Sequence, residues 1–170
     1  VAKIFDRERI WKYTSDFSFF FSVAIGVNGD VYCSGNKREI IKISSAGQKV
    51  REITGLSGYA GCLAIGLDRW IYYCSGTQDG KIFKISESGS TFDVATIGGM
   101  VGGIAVGPDG SIYAGNNSGK VFKISKTGQR SEIISLAGEI RGLEVGADGS
   151  IYVVSGKTVY KISNGRKIWE

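Results

Sequence analysis

The stretch Gly103-Ile-Ala-Val-Gly-Pro-Asp-Gly-Ser-Ile-Tyr113 consists of two short apolar runs joined by a Pro-Asp-Gly turn. Glycine tolerates the positive φ of a tight turn, so this pattern is typical of a β-hairpin. Two further runs follow it after Gly-bearing turns, Lys120-Val-Phe-Lys-Ile-Ser125 and Arg130-Ser-Glu-Ile-Ile-Ser135. Four short strands joined by such turns predict one antiparallel four-stranded sheet.

The hairpin pattern occurs four times along the chain. It is found again at Ala24-Ile-Gly-Val-Asn-Gly-Asp-Val-Tyr32, at Ala64-Ile-Gly-Leu-Asp-Arg-Trp-Ile-Tyr72 and at Glu144-Val-Gly-Ala-Asp-Gly-Ser-Ile-Tyr152. The tyrosines are 40, 41 and 39 residues apart, and a period near 40 with strand-and-turn chemistry is typical of β-propeller blades.

The sequence therefore predicts an all-β fold. We expect a β-propeller of about four four-stranded antiparallel blades, with an extra strand pair at the N-terminus, in a single domain over residues 1–170. The predicted units are a partial blade at 1–16, blade 1 at 17–55, blade 2 at 56–96, blade 3 at 97–136 and blade 4 at 137–170.

The N-terminal pair has no inner strands of its own. Ala2-Lys-Ile-Phe5 resembles the third strand of a repeat, and Arg9-Ile-Trp-Lys-Tyr-Thr14 resembles a fourth. The pair closes the ring against the last blade, is completed by another chain in a homo-oligomer such as a dimer, or belongs to a longer propeller. The sequence leaves these three alternatives open.

Composition narrows the function classes only slightly. The 170 residues carry a net charge of +5, which permits a polyanionic partner but is also typical of an ordinary solvated surface. No run approaches the roughly 20 apolar residues that span a bilayer, so no membrane partner is predicted. We interpret Cys33, Cys62 and Cys74 as small buried free thiols, which weakly favours a cytoplasmic location.

The repeat resembles known propeller families. Residues 103–113, followed by Gly119-Lys-Val-Phe-Lys-Ile-Ser125, are similar to the NHL-repeat propellers and to the virginiamycin B lyase and gluconolactonase groups. The resemblance covers nearly the whole chain from about Arg9 and implies the propeller architecture. The pattern is shared by enzymes and binding modules, so it does not by itself imply an activity.

Both enzyme groups imply residues that can be sought in this chain. The lyase group relies on histidine for catalysis, and this chain contains none. The gluconolactonase group holds a divalent metal with Glu, Asn and Asp side chains, and the matching positions here are Ala24, Ala64, Ala105 and Glu144. One carboxylate does not make a metal site, so no catalytic residue, metal or cofactor is predicted.

Candidate binding residues are those that depart from the repeat. Phe21 and Arg141 replace a glycine near the start of their inner strands, Phe19 precedes Phe21, Tyr59 lies in the matching segment of blade 2, and Glu144 replaces a repeated alanine. In the second hairpin turn, Trp70 replaces a small residue and is an interface candidate. These six residues form the predicted ligand or partner rim.

Three function hypotheses follow. The first is a non-enzymatic scaffold whose loops bind a protein partner. The second is a propeller enzyme of the gluconolactonase or lyase type. The third is binding of single-stranded RNA or a glycan by the rim aromatics, which nucleobases can stack on.

Overall fold

The strands of this chain arise where the sequence repeats. The computed structural model describes residues 2–5 and 8–169, and their side chains from residue 11 onward. This part of the chain forms eighteen β-strands and no helix, with four four-stranded antiparallel sheets in sequence order. The predicted all-β propeller class is confirmed.

Each full blade runs outward from its first strand to its fourth. Blade 1 contains β3 (Phe20–Ile25), β4 (Val31–Gly35), β5 (Ile40–Ile43) and β6 (Lys49–Ile53). Blade 2 contains β7 (Ala60–Ile65), β8 (Ile71–Ser75), β9 (Lys81–Ile85) and β10 (Thr91–Thr96). Blade 3 contains β11 (Val101–Val106), β12 (Ile112–Asn116), β13 (Lys120–Ile124) and β14 (Arg130–Ser135). Blade 4 contains β15 (Ile140–Val145), β16 (Ile151–Ser155), β17 (Thr158–Ser163) and β18 (Arg166–Trp169).

The extra N-terminal strand pair is also present. β1 (Ala2–Phe5) and β2 (Glu8–Lys12) form a separate two-stranded antiparallel sheet. The indole Nε1 of Trp11 donates a hydrogen bond to the carbonyl oxygen of Ser45 at 3.0 Å, and Trp11 packs beside the buried Cys33 and Ile41. The pair therefore lies against blade 1, in the position of the outer strands of a preceding blade.

The hairpin turns use the chemistry that the sequence indicates. In blade 3, the amide of Gly107 donates to the carbonyl of Ser111 at 2.8 Å, and Gly110 closes the turn at φ 74°. The Asp109 carboxylate accepts hydrogen bonds from the amide and the hydroxyl of Ser111. These bonds satisfy the polar groups of the turn and fix the register of β11 against β12.

Neighbouring blades pack face to face. We call the face of a blade that is turned toward the preceding blade its near face, and the opposite one its far face. Between blades 1 and 2, Tyr32 and Ile40 on the far face of blade 1 pack against Leu63, Ile71 and Phe83 on the near face of blade 2. Each such side chain contributes about 1.5–3 kcal/mol when fully buried, so the joints between blades hold the fold together.

The cysteines correct one prediction. Cys62 and Cys74 lie opposite each other on β7 and β8, with 5.5 Å between their Cα atoms, and form a disulfide. Only Cys33 is a free, buried thiol, and burial raises its pKa to about 11. The prediction of three free thiols is wrong because the register of β7 against β8 places Cys62 and Cys74 opposite each other within one hairpin. The thiol argument for a cytoplasmic location therefore no longer holds.

Among the described residues, the structure contains no helix with the length and apolar character needed to cross a membrane.

Candidate functional site

The segments that lead into the inner strands form a rim at one end of the blades. We define the rim as residues 17–19, 57–59, 98–100 and 137–139 together with the first residues of the strands that follow. Phe19 and Phe21 lie there and contact each other edge to face, with ring centroids 5.3 Å apart. Both remain exposed to solvent, at 56% and 46%. The structure therefore brings together two of the predicted rim residues.

The first phenylalanine of this segment has a different role. Phe17 is buried against Cys33 and leaves no room for a side chain at Gly35, whose Cβ would lie 2.5 Å from the Phe17 ring. Phe20 packs edge to face on Phe17 at 5.4 Å. One ring of the phenylalanine run thus fills the core, and Phe19 and Phe21 are left at the surface.

Tyr59 lies at the corresponding place in blade 2 and has an unpredicted partner. The guanidinium carbon of Arg38 lies 5.7 Å from the centroid of the Tyr59 ring, within the range of a cation–π contact. Tyr59 is exposed. Sequence reasoning missed Arg38, although the turn between β4 and β5 lies at the same end of the blade as the segment before β3.

Arg141 is held by its own blade. Its guanidinium donates to the Glu139 carboxylate, with Nη2 at 3.1 Å and Nε at 3.3 Å from Oε2. The side chains of Arg141 and Glu139 are 70% and 37% exposed, so this pair is weak and open to exchange for another charged group.

Glu144 faces the central channel. The inner strands of all four blades line a cavity there of about 150 Å³, and Glu144 is the one charged residue among its lining residues in the described chain. The other lining residues are alanine, valine, isoleucine and leucine, and the desolvation that they impose raises the pKa of Glu144. A single carboxylate in this setting can accept hydrogen bonds from a cationic or other hydrogen-bond-donating group.

Trp70 lies at the opposite end of its inner strand. The turn that contains it follows β7, whereas Tyr59 precedes that strand. Trp70 contacts Phe92 edge to face at 5.6 Å, and the Lys84 ammonium lies 4.9 Å from its ring. The neighbouring Arg69 adopts a positive φ of 66°, in place of the glycine of the other turns. The structure does not bring Trp70 together with the other predicted rim residues.

A polar network that the sequence did not indicate joins blades 1 and 2. The Glu87 carboxylate of blade 2 accepts hydrogen bonds from the Tyr32 hydroxyl at 2.6 Å and from the Lys42 ammonium at 2.7 Å. Asp30 lies 3.1 Å from the same ammonium. Desolvation and the nearby Glu87 raise the pKa of Tyr32 to about 12, and the hydrogen bonds from Lys42 and Tyr32 lower the pKa of Glu87.

Potential metal ligands are scattered. Within residues 2–5 and 8–169, no group of three or more His, Cys, Asp or Glu side chains converges to hold an ion. The turn aspartates are engaged locally, as Asp109 is with Ser111 and Lys123 and Asp148 is with Ser150. The donor set therefore provides no coordination sphere in this part of the chain.

Comparison with known proteins identifies relatives in fold only. No protein-family model matches the chain. No curated protein matches it. The chain is similar to a solved structure of catalytically inactive virginiamycin B lyase from Staphylococcus aureus with quinupristin, in which one histidine is replaced by alanine. The TM-score is 0.75 at 19% identity, over 94% of this chain and 60% of the lyase.

Two other solved structures are similar. The WD40 β-propeller domain of Doa1 gives a TM-score of 0.77 at 16% identity, over 92% of this chain and 54% of that chain. A protein of unknown function from Bacteroides caccae gives 0.71 at 16% identity, over 96% and 64%. These matches confirm the resemblance to this group of propellers at the level of fold. The chain spans about half to two-thirds of the length of these structures.

Proposed function

We propose that this chain is a non-enzymatic β-propeller module that binds a protein partner at its rim. The observation that carries the proposal is the exposure of Phe19 and Phe21, which contact each other edge to face at the surface and not in the core. Large apolar side chains grouped at the surface are typical of interaction sites, and aromatic residues often provide the anchoring contacts.

The residues around the aromatic pair suit a peptide segment. Tyr59 and Arg38 add an aromatic face and a guanidinium at the same end of the blades. Arg141 and Glu139 add exchangeable charges, because both are exposed at 70% and 37% of their side chains. A partner with apolar side chains flanked by an acidic group matches this chemistry.

The enzyme hypothesis has less support from the residues present. The similar lyase structure is described as catalytically inactive after one histidine is replaced, and this chain contains no histidine. Without histidine, the chain has no Ser-His or Cys-His pair to activate a nucleophile.

Selection from a displayed library of 12-residue peptides tests the proposal directly. We expect the wild-type chain to enrich peptides that carry apolar residues next to an acidic one. Binding of the enriched peptides should fall at least ten-fold for Phe21→Ser. Phe92→Ser is the matched control, because Phe92 is an equally exposed phenylalanine on the outer strand β10.

Equal loss for the two variants, or no enrichment, would overturn the proposal. A labelled single-stranded RNA 12-mer and a glycan array distinguish the alternative ligands. Rim-dependent RNA binding that weakens steeply with salt would favour a nucleic-acid partner in place of a protein.

A further inference from the structure

The joint between blades 2 and 3 differs in charge from the joint between blades 1 and 2. We call the turn between the third and fourth strands of a blade its third turn. Glu87 in the third turn of blade 2 accepts hydrogen bonds from Tyr32 at 2.6 Å and from Lys42 at 2.7 Å. The third turn of blade 3 carries Lys126 at the position of Glu87. Blade 3 therefore has a cation where blade 2 has a carboxylate.

Lys84 is left without a carboxylate at this joint. The equivalent lysines of the other blades are Lys42, Lys123 and Lys161. Their ammonium groups lie 2.7, 2.9 and 3.7 Å from a carboxylate oxygen, respectively. The Lys84 ammonium lies 4.9 Å from the centroid of the Trp70 ring and 5.9 Å from that of Phe92. Within the part of the chain whose side chains are described, neither Lys84 nor Lys126 forms an ion pair.

The turn between the first and second strands of blade 2 explains this difference. Trp70 occupies the position at which blade 1 has Asp30, which lies 3.1 Å from the lysine ammonium of that blade. Asp68 in the same turn accepts hydrogen bonds from the Trp70 amide at 3.2 Å and from the Tyr72 hydroxyl at 2.9 Å. Since both oxygens of Asp68 are engaged in this way, blade 2 supplies an aromatic ring and no carboxylate to Lys84.

A cavity of about 220 Å³ lies at this joint. Tyr72 and Lys84 line it from blade 2, and Ile112 and the third turn at 125–128 line it from blade 3. The volume is several times the roughly 30 Å³ that a water molecule takes up in the liquid, so a small organic molecule fits. Lys84 and Lys126 thus line one cavity between two blades.

The remaining lining residues indicate which anion matches this cavity. Asp68 and Asp93 balance the charge of the two lysines, so a doubly charged anion such as phosphate meets repulsion as well as attraction. A single carboxylate is the group that the equivalent joint accommodates, in the form of Glu87. Val94 and Ile112 offer apolar contacts beside the charged groups. A carboxylate on a short aliphatic chain combines these properties.

We propose that this cavity binds a short-chain aliphatic carboxylate. The carboxylate group accepts charge-assisted hydrogen bonds from Lys84 and Lys126, and it takes the role that Glu87 has between blades 1 and 2. The aliphatic chain packs on Val94 and Ile112. The turns that line the cavity follow the first and third strands of their blades, at the end opposite the rim. The proposal therefore does not depend on binding of a partner at the rim.

Titration of the isotope-labelled chain with butyrate, followed by amide NMR at constant ionic strength, tests the proposal. We expect saturable shifts at the amides of residues 125–128. The indole N–H of Trp70 should shift as well, because the Lys84 ammonium leaves its ring for the carboxylate. Inorganic phosphate should bind at least ten-fold more weakly than butyrate.

Variants of the two lysines locate the contact. Lys126→Glu gives blade 3 the acidic residue that blade 2 has in its third turn, so the introduced carboxylate can pair with Lys84 and the affinity for butyrate should fall at least ten-fold. Lys84→Met keeps the apolar stem and should weaken binding to a similar extent. Lys157→Glu is the matched control, because it makes the same change of charge at an exposed turn between β16 and β17, and the affinity should be unchanged. Thermal unfolding of each variant confirms that it is folded.

Four results would overturn the proposal. The first is no saturable shift with butyrate at about 10 mM. The second is wild-type affinity in a folded Lys126→Glu or Lys84→Met variant. The third is an equal loss of affinity in Lys157→Glu, which would indicate attraction by net charge alone. The fourth is binding of phosphate as tight as that of butyrate, which would assign the cavity to another class of anion.

Discussion

Replacement of Gly102 by alanine should loosen the joint between blades 3 and 4. A Cβ atom at this position would lie 1.9 Å from the carbonyl oxygen of Ile140 and 2.9 Å from its carbon. Both atoms belong to the backbone of β15, which packs against β11 in the centre of the propeller. No rotation of a side chain can relieve this contact, so one inner strand has to move away from the other.

The expected cost is about 2 kcal/mol. Overpacking of a close-packed interior costs about 1–3 kcal/mol, and a backbone obstacle places this case toward the upper end. Replacement of glycine also removes freedom from the unfolded chain, which returns about 0.4–1 kcal/mol. For a chain of this length, a net loss of about 2 kcal/mol lowers the melting temperature by about 4–8 °C.

Urea unfolding followed by tryptophan fluorescence measures this loss. Gly61→Ala is the matched control, because Gly61 holds the same place in the repeat and its added Cβ would have 3.5 Å to the nearest atom. We expect Gly61→Ala to raise the free energy of unfolding by about 0.4–1 kcal/mol, because there only the lost freedom of the unfolded chain acts. Equal stability of Gly102→Ala and wild type, or an equal loss in Gly61→Ala, would refute the argument from blade separation.

Three further predictions concern single interactions. The Cys62–Cys74 bond closes a loop with a sequence separation of 12, and its reduction should lower the free energy of unfolding by about 3 kcal/mol. Thiol titration of the unreduced, denatured chain should find one free thiol, that of Cys33. Desolvation raises the pKa of Glu144, so its ionised form destabilises the fold. Glu144→Gln should therefore raise the melting temperature slightly at pH 7. This gain should fade as the pH falls toward 4.5, because the carboxyl group of the wild-type protein becomes protonated. The substitution of Glu87 should have the opposite effect on stability, because hydrogen bonding from Lys42 lowers the pKa of Glu87. Glu87→Gln should lower the free energy of unfolding by about 1 kcal/mol at pH 7. This loss should shrink as the pH falls below 4.5. Thermal unfolding of wild type and the two variants between pH 3 and pH 8 checks both signs. A difference in melting temperature from wild type that does not change with pH would contradict the role assigned to that carboxylate.

The candidate site was predictable only in part. The departures from the repeat singled out Phe19 and Phe21, which lie in contact and exposed, and their role in binding stays a prediction. The same reasoning placed Trp70 with them, although it lies in a turn at the other end of its blade. Arg38 and Glu87 were missed because they lie in turns whose sequence varies between repeats, and their partners are in a neighbouring blade.

Local signals in the sequence were sufficient to predict the structure of each blade. Alternating apolar residues, turn glycines and a period near 40 are local signals, so they specify strand order, hairpin register and the extra N-terminal pair without knowledge of the assembled structure. Which residues of a blade are buried depends on the packing of that blade against its neighbours. Val159 and Val121 occupy equivalent positions in near-identical strands, yet one is exposed and the other buried, because burial depends on the neighbouring blade and not on the strand. The Glu87 network has the same origin, since it requires a contact between blades that a one-dimensional pattern does not contain. The Cys62–Cys74 pair, by contrast, follows from the register of a single hairpin and was overlooked.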